Sequence, residues 1–257
     1  MLPAMLLAAA CLAAPAAAAP LACTAAQSVR VTDQVDNMKS GGECSCPSFP
    51  APPADGSRCP PKGQECGVAP GTTPNSIFVT AMDTNPLAQD PAVVIKANES
   101  SFRHGLAVLG RLTDGPVWVC RAPGGDLPAF AEGQIREETF TGKHPAGNAG
   151  THVHYLDPVS LAKTVWTVGY QEVIAIGKLF TEGKISTDRV VALTGPQVKT
   201  PRLMRTRVGA GMEDFTRGEL KDGDNRIVGG SVFNGHHARG PLMFLSRFSN
   251  QVTVLRE

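Results

Sequence analysis

Three closely spaced histidines are the clearest candidates for binding or proton transfer in this 257-residue chain. His144, His152 and His154 place half of the six histidines within eleven residues. In an extended backbone, His152 and His154 would project to the same side, which suits a shared metal ion. A third ligand would have to be His144, Asp157 or a distant residue, and no spacing selects one. The cluster is therefore compatible with a metal site, a structural hydrogen-bonding role or a proton-handling role.

A second polar group follows the strand predicted for Ile77 to Met82. The run Asp83-Thr84-Asn85-Pro86 comes directly after it, and the ligands of open parallel sheets sit outside the carboxyl ends of the strands. Asp83 and Asn85 could form a turn stopped by the proline. They could equally be the remnant of a ligand pocket, and the sequence leaves both interpretations open.

Glycines near the histidines are the nearest thing to a phosphate-binding loop. Such a loop is a glycine-rich turn that opens a helix, and neither GxGxxG nor GxxxxGK[ST] occurs in the chain. The candidate, Gly147 to Gly150, leads into His-Val-His instead of a predicted helix start. Tight flavin or dinucleotide binding is therefore not expected.

Alternating strands and helices must position these groups. Apolar periodicity predicts a strand at Ile77 to Met82, a helix at Glu99 to Thr113 and a strand at Val117 to Arg121. This β-α-β run should be parallel. A weaker alternation from Gln134 to Phe140 indicates a short additional strand.

A longer helix follows the histidine loop. Six residues recur at three- and four-residue steps and predict one buried stripe: Trp166, Tyr170, Val173, Ile174, Gly177 and Phe180. Ser160 or Thr164 could cap the start of this helix, and Gly183 could end it. The run Arg189 to Thr194 is β-branched and short, which predicts a buried parallel strand that extends the first sheet.

The pattern changes after Gly195. Met204, Thr206 and Val208 alternate with Arg205 and Arg207, as in a strand with one solvated face. The remaining sequence predicts a short helix and three strands: Met212 to Leu220, Arg226 to Phe233, Leu242 to Phe248 and Gln251 to Leu255.

Composition excludes several classes of function. Lys and Arg number 24 against 23 Asp and Glu, a net charge of +1 that gives no broad field for nucleic acid. No CxxC pair occurs, which argues against a zinc ribbon or a cysteine-ligated iron–sulfur cluster. Cys120 lies in an apolar strand pattern and is expected to be a buried thiol.

The first 73 residues differ from the rest. They begin with a signal-like alanine-rich run and continue as a Pro-, Gly- and Cys-rich segment that holds six of the seven cysteines. Little apolar periodicity is present, so a disordered segment or a small disulfide module is expected.

The motifs from Pro74 onward resemble the A subunit of the sodium-translocating NADH:quinone reductase, a bacterial respiratory pump. The resemblance is carried, in the family's order, by IFVTAMDTNPLA from Ile77, VWVC from Val117, HPAGNAGTHVHYLDPV from His144, GYQEVIAIGKLF from Gly169 and TDRVVALTGPQVKTPRLMRTRVGA from Thr187. It does not cover residues 1–73. Those residues are therefore expected to come from a misplaced start, a frame error or a gene fragment, with a genuine exported fusion as the alternative.

The resemblance implies a fold of two domains. Residues 74–200 would form a Rossmann-like α/β domain with a parallel sheet, similar to the flavin-binding subunit of complex I. Residues 201–257 would form a small β-grasp domain of the SLBB type, and residues 1–73 would lie outside both.

The resemblance also implies a role in a membrane complex. The chain would be a peripheral subunit on the cytoplasmic face of the bacterial inner membrane, docked on other subunits, especially the membrane-embedded B subunit. It would take part in ubiquinone reduction coupled to sodium export and would bind no cofactor itself, with flavins and NADH on other subunits.

Quinone contact needs an apolar slot with one or two hydrogen-bond donors. Under the family interpretation the candidates are His144, His152, His154 and Tyr155, with no metal. The candidate pocket remnant comprises Asp83, Asn85, Gly147 and Gly150. Three alternatives remain: a structural fragment of the family protein without activity, a flavin-binding electron-transfer subunit, and an exported Cys-rich protein.

Overall fold

The computed structural model describes residues 72–124, 127–160 and 163–257, so the predictions for residues 1–71 lie outside the described part. The described chain forms a parallel α/β sheet followed by a mixed sheet, which confirms the predicted fold class. The first sheet has the order β3-β2-β1-β4 with all pairs parallel. Its strands are β1 (Ser76–Ala81), β2 (Val117–Arg121), β3 (Ile135–Thr139) and β4 (Val165–Gly169).

Five helices accompany the described strands. They are α1 (Pro91–Ala97), α2 (Glu99–Leu109), α3 (Ala149–Leu156), α4 (Tyr170–Glu182) and α5 (Met212–Thr216). Asp90 caps α1, since its Oδ1 accepts from the backbone N–H of Ala92 at 2.9 Å. None of the helices in the described part of the chain is long and apolar enough to cross a lipid bilayer.

The first sheet buries both of its faces. Ile77, Val79 and their neighbours face a core closed by α1, α2 and α4. Phe78 and Cys120 face a smaller core closed by α3. Two-sided burial explains why these strands read as continuous apolar runs. The prediction that Cys120 is a buried thiol is confirmed.

Helices α2 and α4 touch through glycines. A Cβ atom added to Gly105 would lie 2.0 Å from the carbonyl oxygen of Val173, and one added to Gly177 would lie 1.8 Å from that of Ser101. The two backbones can therefore approach only because both positions lack a side chain.

The start of α4 differs from the prediction. Trp166 lies in β4, and the helix begins at Tyr170 after an N-cap at Gly169, so neither Ser160 nor Thr164 caps it. Strand and helix are joined without a loop, and their apolar patterns merge into one apparent stripe. Tyr170, Val173, Ile174 and Gly177 are buried as predicted, whereas Phe180 is exposed. Gly183 ends the helix with φ 69°, which confirms that part of the prediction.

The second sheet contains the strand that was expected to extend the first. Its order is β6-β5-β9-β7-β8, with β5 and β9 parallel and the other pairs antiparallel. The strands are β5 (Asp188–Thr194), β6 (Arg202–Arg207), β7 (Asn225–Gly229), β8 (His236–His237) and β9 (Gln251–Arg256). Placing Arg189 to Thr194 in the first sheet was therefore wrong. Val191 and Leu193 pack instead against Val252 and Val254 of β9.

Other boundaries in the second half also change. The predicted strand from Leu242 to Phe248 is wrong, because Gly240–Met243 forms a 3-10 turn and the following residues are irregular, with only Leu245 deeply buried there. Strand β7 stops at Gly229, and Gly230 takes φ 113°. The predicted alternation in β6 is confirmed: Met204 and Thr206 are half-buried, while Arg205 and Arg207 are exposed.

Candidate functional site

The carboxyl edge of the first sheet carries most of the candidate residues. From β1 the chain moves outward to β2 and β3, then returns to the other side of β1 as β4. The strand order therefore reverses between β1 and β4, and open parallel sheets bind ligands at such a point. In this chain, α4 begins there, with Tyr170 and Gln171 at its first two positions.

Buried protein side chains fill this reversal point. The hydroxyl of Tyr170 is hydrogen-bonded to Nε2 of Gln89, and burial raises the pKa of Tyr170 well above its usual range. Nε2 of Gln171 donates to the carbonyl oxygen of Val190 at 2.8 Å and to Oδ1 of Asn250 at 3.0 Å. Val190 and Asn250 belong to the second half of the chain. The second sheet therefore closes the place where a ligand would otherwise enter.

More polar contacts join the same two halves. A buried ion pair links Arg189 of β5 to Glu172 of α4, and the same guanidinium contacts the carbonyl oxygen of Arg247. Nε2 of Gln251 donates to the carbonyl oxygen of Pro86 at 3.1 Å. The junction between the sheets is thus held largely by buried hydrogen bonds.

The loop after β1 forms a turn, which is one of the two interpretations left open by the sequence. Oδ1 of Asp83 accepts from the backbone N–H of Asn85 at 2.9 Å and from Nδ2 of Asn85 at 2.8 Å. Burial raises the pKa of Asp83, while those hydrogen bonds and nearby His144 act to lower it. Oδ1 of Asn85 accepts from Ser231 Oγ at 2.9 Å. Asp83 and Asn85 therefore shape the loop and attach it to the second half.

His144 belongs to this loop cluster. The backbone N–H of Gly147 donates to Thr84 Oγ1 at 2.9 Å, and Thr84 Oγ1 lies 3.4 Å from Nδ1 of His144. The imidazole also faces the ring of Phe233, with centroids 5.0 Å apart. A Cβ on Gly147 would lie 2.7 Å from the backbone nitrogen of Thr84, so only glycine allows this approach. The sequence signal for Thr84 was its position between Asp83 and Asn85.

Contrary to the prediction, Gly147 to Gly150 does lead into a helix. Helix α3 begins at Ala149, and Gly150 lies in its first turn. The extended backbone assumed for His152 and His154 is therefore wrong. Two positions apart on a helix, side chains point in nearly opposite directions. His152 is fully buried and His154 is exposed, so the two cannot share a metal ion.

His152 is a core residue. Its Nε2 lies 2.9 Å from the carbonyl oxygen of Ala146, and its ring packs on Phe140 with centroids 4.3 Å apart. Because a carbonyl can only accept, Nε2 is a ring nitrogen that carries a proton. Nδ1 has no hydrogen-bond partner among the described residues. Burial lowers the pKa of His152 to about 4.

His154 and Tyr155 lie on the opposite, outer side of α3. Their rings meet edge to face with centroids 5.1 Å apart, and Tyr155 is 72% exposed. The structure therefore separates the four predicted quinone residues into three places: the loop with His144, the core with His152 and the surface with His154 and Tyr155. Within the described ranges, no three His, Cys, Asp or Glu side chains form a group that could hold a metal ion.

A cleft of about 390 Å³ lies beside this edge, between the ends of β1 and β2. Its polar side chains are Asp83, Gln89, Asp90 and Arg121, and Met82 and Leu127 are among the apolar ones. Arg121 is oriented by Glu137, 3.6 Å away, and by the carbonyl oxygen of Pro128 at 3.4 Å. The cleft could bind a small polar group. Arg121 was missed in the sequence because it reads as the last residue of a strand.

Known families match the two halves separately. Residues 66–185 match the family model described as the NqrA second alpha/beta domain. Residues 190–240 match the model described as the NQRA C-terminal domain. The two matches follow each other with a gap of a few residues, and the gap includes the start of β5.

Curated relatives carry one name. The chain is 75% identical over 189 residues to the A subunit of the Na(+)-translocating NADH-quinone reductase of Alcanivorax borkumensis, covering 74% of this chain. It is 59% identical over 186 residues to the same protein of Saccharophagus degradans and 58% over 188 residues to that of Cellvibrio japonicus, covering 72% and 73% of this chain. The chain spans 42% of the length of each of these three relatives.

Among solved structures, an NAD+-reducing [NiFe]-hydrogenase in the H2-reduced state aligns with a TM-score of 0.47 and 12% identity, over 71% of this chain and 41% of that one. This likeness is too distant to support a conclusion about fold or function. The consecutive domain matches and the curated relatives show that the chain belongs to the family formed by the A subunit of the Na(+)-translocating NADH-quinone reductase.

Proposed function

We propose that this chain works as part of the A subunit of a sodium-translocating NADH:quinone reductase and takes part in ubiquinone reduction coupled to sodium export. The observation that carries the proposal is the 75% identity over 189 residues, together with the consecutive matches to both family domains. A chain that keeps both domains in order keeps the junction between them.

The protein docks on the other subunits of the complex, especially the membrane-embedded B subunit, on the cytoplasmic face of the inner membrane. It binds no cofactor of its own, and flavins and NADH are held by other chains. The filled reversal point supports this assignment, because Gln89, Tyr170 and Gln171 occupy the place where a parallel sheet of this kind would hold a dinucleotide.

Within this protein, the quinone contact is at His154 and Tyr155. An exposed imidazole can donate a hydrogen bond or a proton to a quinone carbonyl oxygen, and the adjacent phenol ring offers an aromatic surface. His152 cannot do this because it is buried and its N–H is engaged by Ala146. His144 faces Phe233 and Thr84 instead.

The test is His154→Ala in a reconstituted complex. Ubiquinone reduction should slow by about tenfold or more, in line with the loss of a general acid or donor. Reduction of a soluble acceptor at the NADH-oxidising subunit should not change. His104→Ala is the matched control, since His104 is an exposed histidine on α2.

Because His154 is exposed, its loss should not prevent folding or assembly. Equal ubiquinone reduction rates for assembled His154→Ala and parent complexes would contradict the assignment of this residue. A parent chain that does not join the complex at all would contradict the proposed function itself.

A further inference from the structure

The loop after β7 contains the one Asn-Gly pair of the chain, Asn234-Gly235. Asparagine is a thermolabile residue. It loses its side-chain amide most readily before glycine, because a residue without a Cβ leaves its backbone nitrogen free to reach the asparagine Cγ. Asn234 is exposed to solvent. The pair is therefore a candidate site of chemical modification.

Gly235 cannot be replaced by a less reactive neighbour. A Cβ atom added to it would lie 2.4 Å from Cγ1 of Val228 and 2.5 Å from the carbonyl oxygen of Ser231. Packed atoms do not approach each other so closely, so only glycine fits at this position. Protection of the Asn-Gly pair therefore depends on how its atoms are held.

Ser231 holds both groups that would react. The backbone N–H of Gly235 donates to the carbonyl oxygen of Ser231 at 2.8 Å. The amide oxygen of Asn234 lies 2.7 Å from Ser231 Oγ and 3.4 Å from the backbone nitrogen of Ser231. Ser231 Oγ in turn accepts from the backbone N–H groups of Phe233 and Asn234, at 3.1 Å and 3.3 Å. One buried residue thus fixes the attacking nitrogen and the amide that it would attack.

We propose that Asn234 is a deamidation site that the turn around Ser231 keeps unreactive in the folded protein. Ring closure brings Cγ of Asn234 onto the backbone nitrogen of Gly235, which breaks the hydrogen bonds at both groups. In the open turn that nitrogen loses its proton to a hydroxide ion and bonds to Cγ. The bond from Cγ to Nδ2 breaks, and ammonia leaves with a proton taken from water. Water then opens the five-membered imide at either carbonyl carbon, which leaves aspartate or isoaspartate at position 234.

The products loosen a contact between the two halves of the chain. The Ser231 hydroxyl has one proton for two acceptors, Oδ1 of Asn234 at 2.7 Å and Oδ1 of Asn85 at 2.9 Å. A carboxylate is the stronger acceptor, so aspartate at position 234 takes this proton from Asn85. Isoaspartate adds a carbon to the main chain before Gly235, whose close contacts leave no space for it. Deamidation therefore weakens the attachment of the loop after β1 to the loop after β7, whether or not the proposed function holds.

The test follows the mass of the peptide that contains Asn234 while the full 257-residue chain is incubated at mildly alkaline pH. Ser231→Ala should deamidate about tenfold faster than the parent, because it removes the hydrogen bonds of the hydroxyl and the reaction tracks the population of the open turn. Ser76→Ala is the matched control. Ser76 is also buried, with its hydroxyl 2.6 Å from Oδ2 of Asp157, but it lies in β1. It should keep the parent's rate.

Denaturant separates the effect of the turn from that of the sequence. The unfolded parent should deamidate at least about tenfold faster than the folded parent, and unfolded Ser231→Ala should match it. Equal rates for the folded and unfolded parent would overturn the inference, even if Ser231→Ala did not fold. A folded Ser231→Ala protein that reacts no faster than the parent would also overturn it. So would a Ser76→Ala protein as fast as Ser231→Ala, since the pair would then open only when the whole domain unfolds.

Hydrogen exchange tests the effect on the neighbouring loop. The backbone amides between β1 and α1 should exchange faster in deamidated chains than in intact ones, because the contact from Ser231 to Asn85 is weakened. Unchanged exchange there would overturn the inferred link between the two loops.

Discussion

His152 should make the stability of this protein depend on pH. The neutral imidazole is buried with a pKa of about 4, against 6.5 in the unfolded chain. Between these values the unfolded state binds a proton that the folded state does not, so stability is lost as the pH falls. The loss should reach about 3 kcal/mol near pH 4. Denaturant unfolding of the parent and of a His152 variant at pH 7.5, 6 and 4.5 measures this loss. The contribution of His152 is the part of the pH-dependent change in unfolding free energy that the variant lacks.

The matched pair for this prediction is His152→Leu and His154→Leu. His152→Leu removes the titrating group and should flatten the dependence over this range, although it also loses the hydrogen bond to Ala146. His154→Leu, on the exposed side of the same helix, should keep the parent's slope. Equal slopes for parent and His152→Leu would show that the histidine is not buried in its neutral form.

For individual residues, the sequence predicted which ones cluster along the chain but not the directions of their side chains. The density of histidines between His144 and His154 was visible directly. Their orientation was not, because glycines and β-branched residues at positions 147 to 153 concealed α3. The contacts of Thr84 and Ser231 could not be predicted either, since they join residues far apart in the chain.

The crossing of α2 and α4 is the most constrained contact between elements. Gly177→Ala would place a Cβ 1.8 Å from the carbonyl oxygen of Ser101, and neither backbone can move away without separating the helices from the sheet. We expect the variant to lose about 3 kcal/mol of unfolding free energy or to be insoluble. Chemical denaturation followed by circular dichroism measures the loss.

Gly110→Ala is the control for this crossing. Gly110 follows α2 with φ −62°, which any residue adopts, and its Cβ would meet atoms no closer than 3.6 Å. That variant should be as stable as the parent or slightly more so. A stable Gly177→Ala protein would mean that the two helices are not in contact through their backbones.

Strands and helices were predictable where their apolar patterns did not run into those of a neighbouring element. Strands β1 and β2 and the body of α4 have clear periodicity between polar boundaries, and the structure has them at those positions. The predicted start of α4 was too early because Trp166 lies four residues before Tyr170, which is a helical spacing. Trp166 belongs to β4, however, and Tyr170 is the first residue of α4. Strand β5 was assigned to the wrong sheet, since its neighbour β9 lies far later in the chain.

At the scale of the whole molecule, the two sheets behave as one body because their junction is polar and buried. Gln171 contacts Val190 through both ends of its amide: Nε2 donates to the carbonyl oxygen, and Oε1 accepts from the N–H at 2.9 Å. Each bond satisfies a group that burial would otherwise leave unpaired. Separating the sheets would expose several such groups together, so we expect a single unfolding transition.

The ion pair between Glu172 and Arg189 provides the sharpest test of that junction. Glu172→Gln would leave a buried guanidinium without its counter-charge, which should cost about 3 kcal/mol. Glu219→Gln removes the same type of partner from Arg202 in an exposed pair and should leave stability nearly unchanged. Differential scanning calorimetry of both variants measures the loss and shows whether the transition stays single. Should Glu172→Gln melt like Glu219→Gln, the two sheets would not be fastened through this pair, and their shared junction would have to depend on Gln171 and its neighbours instead.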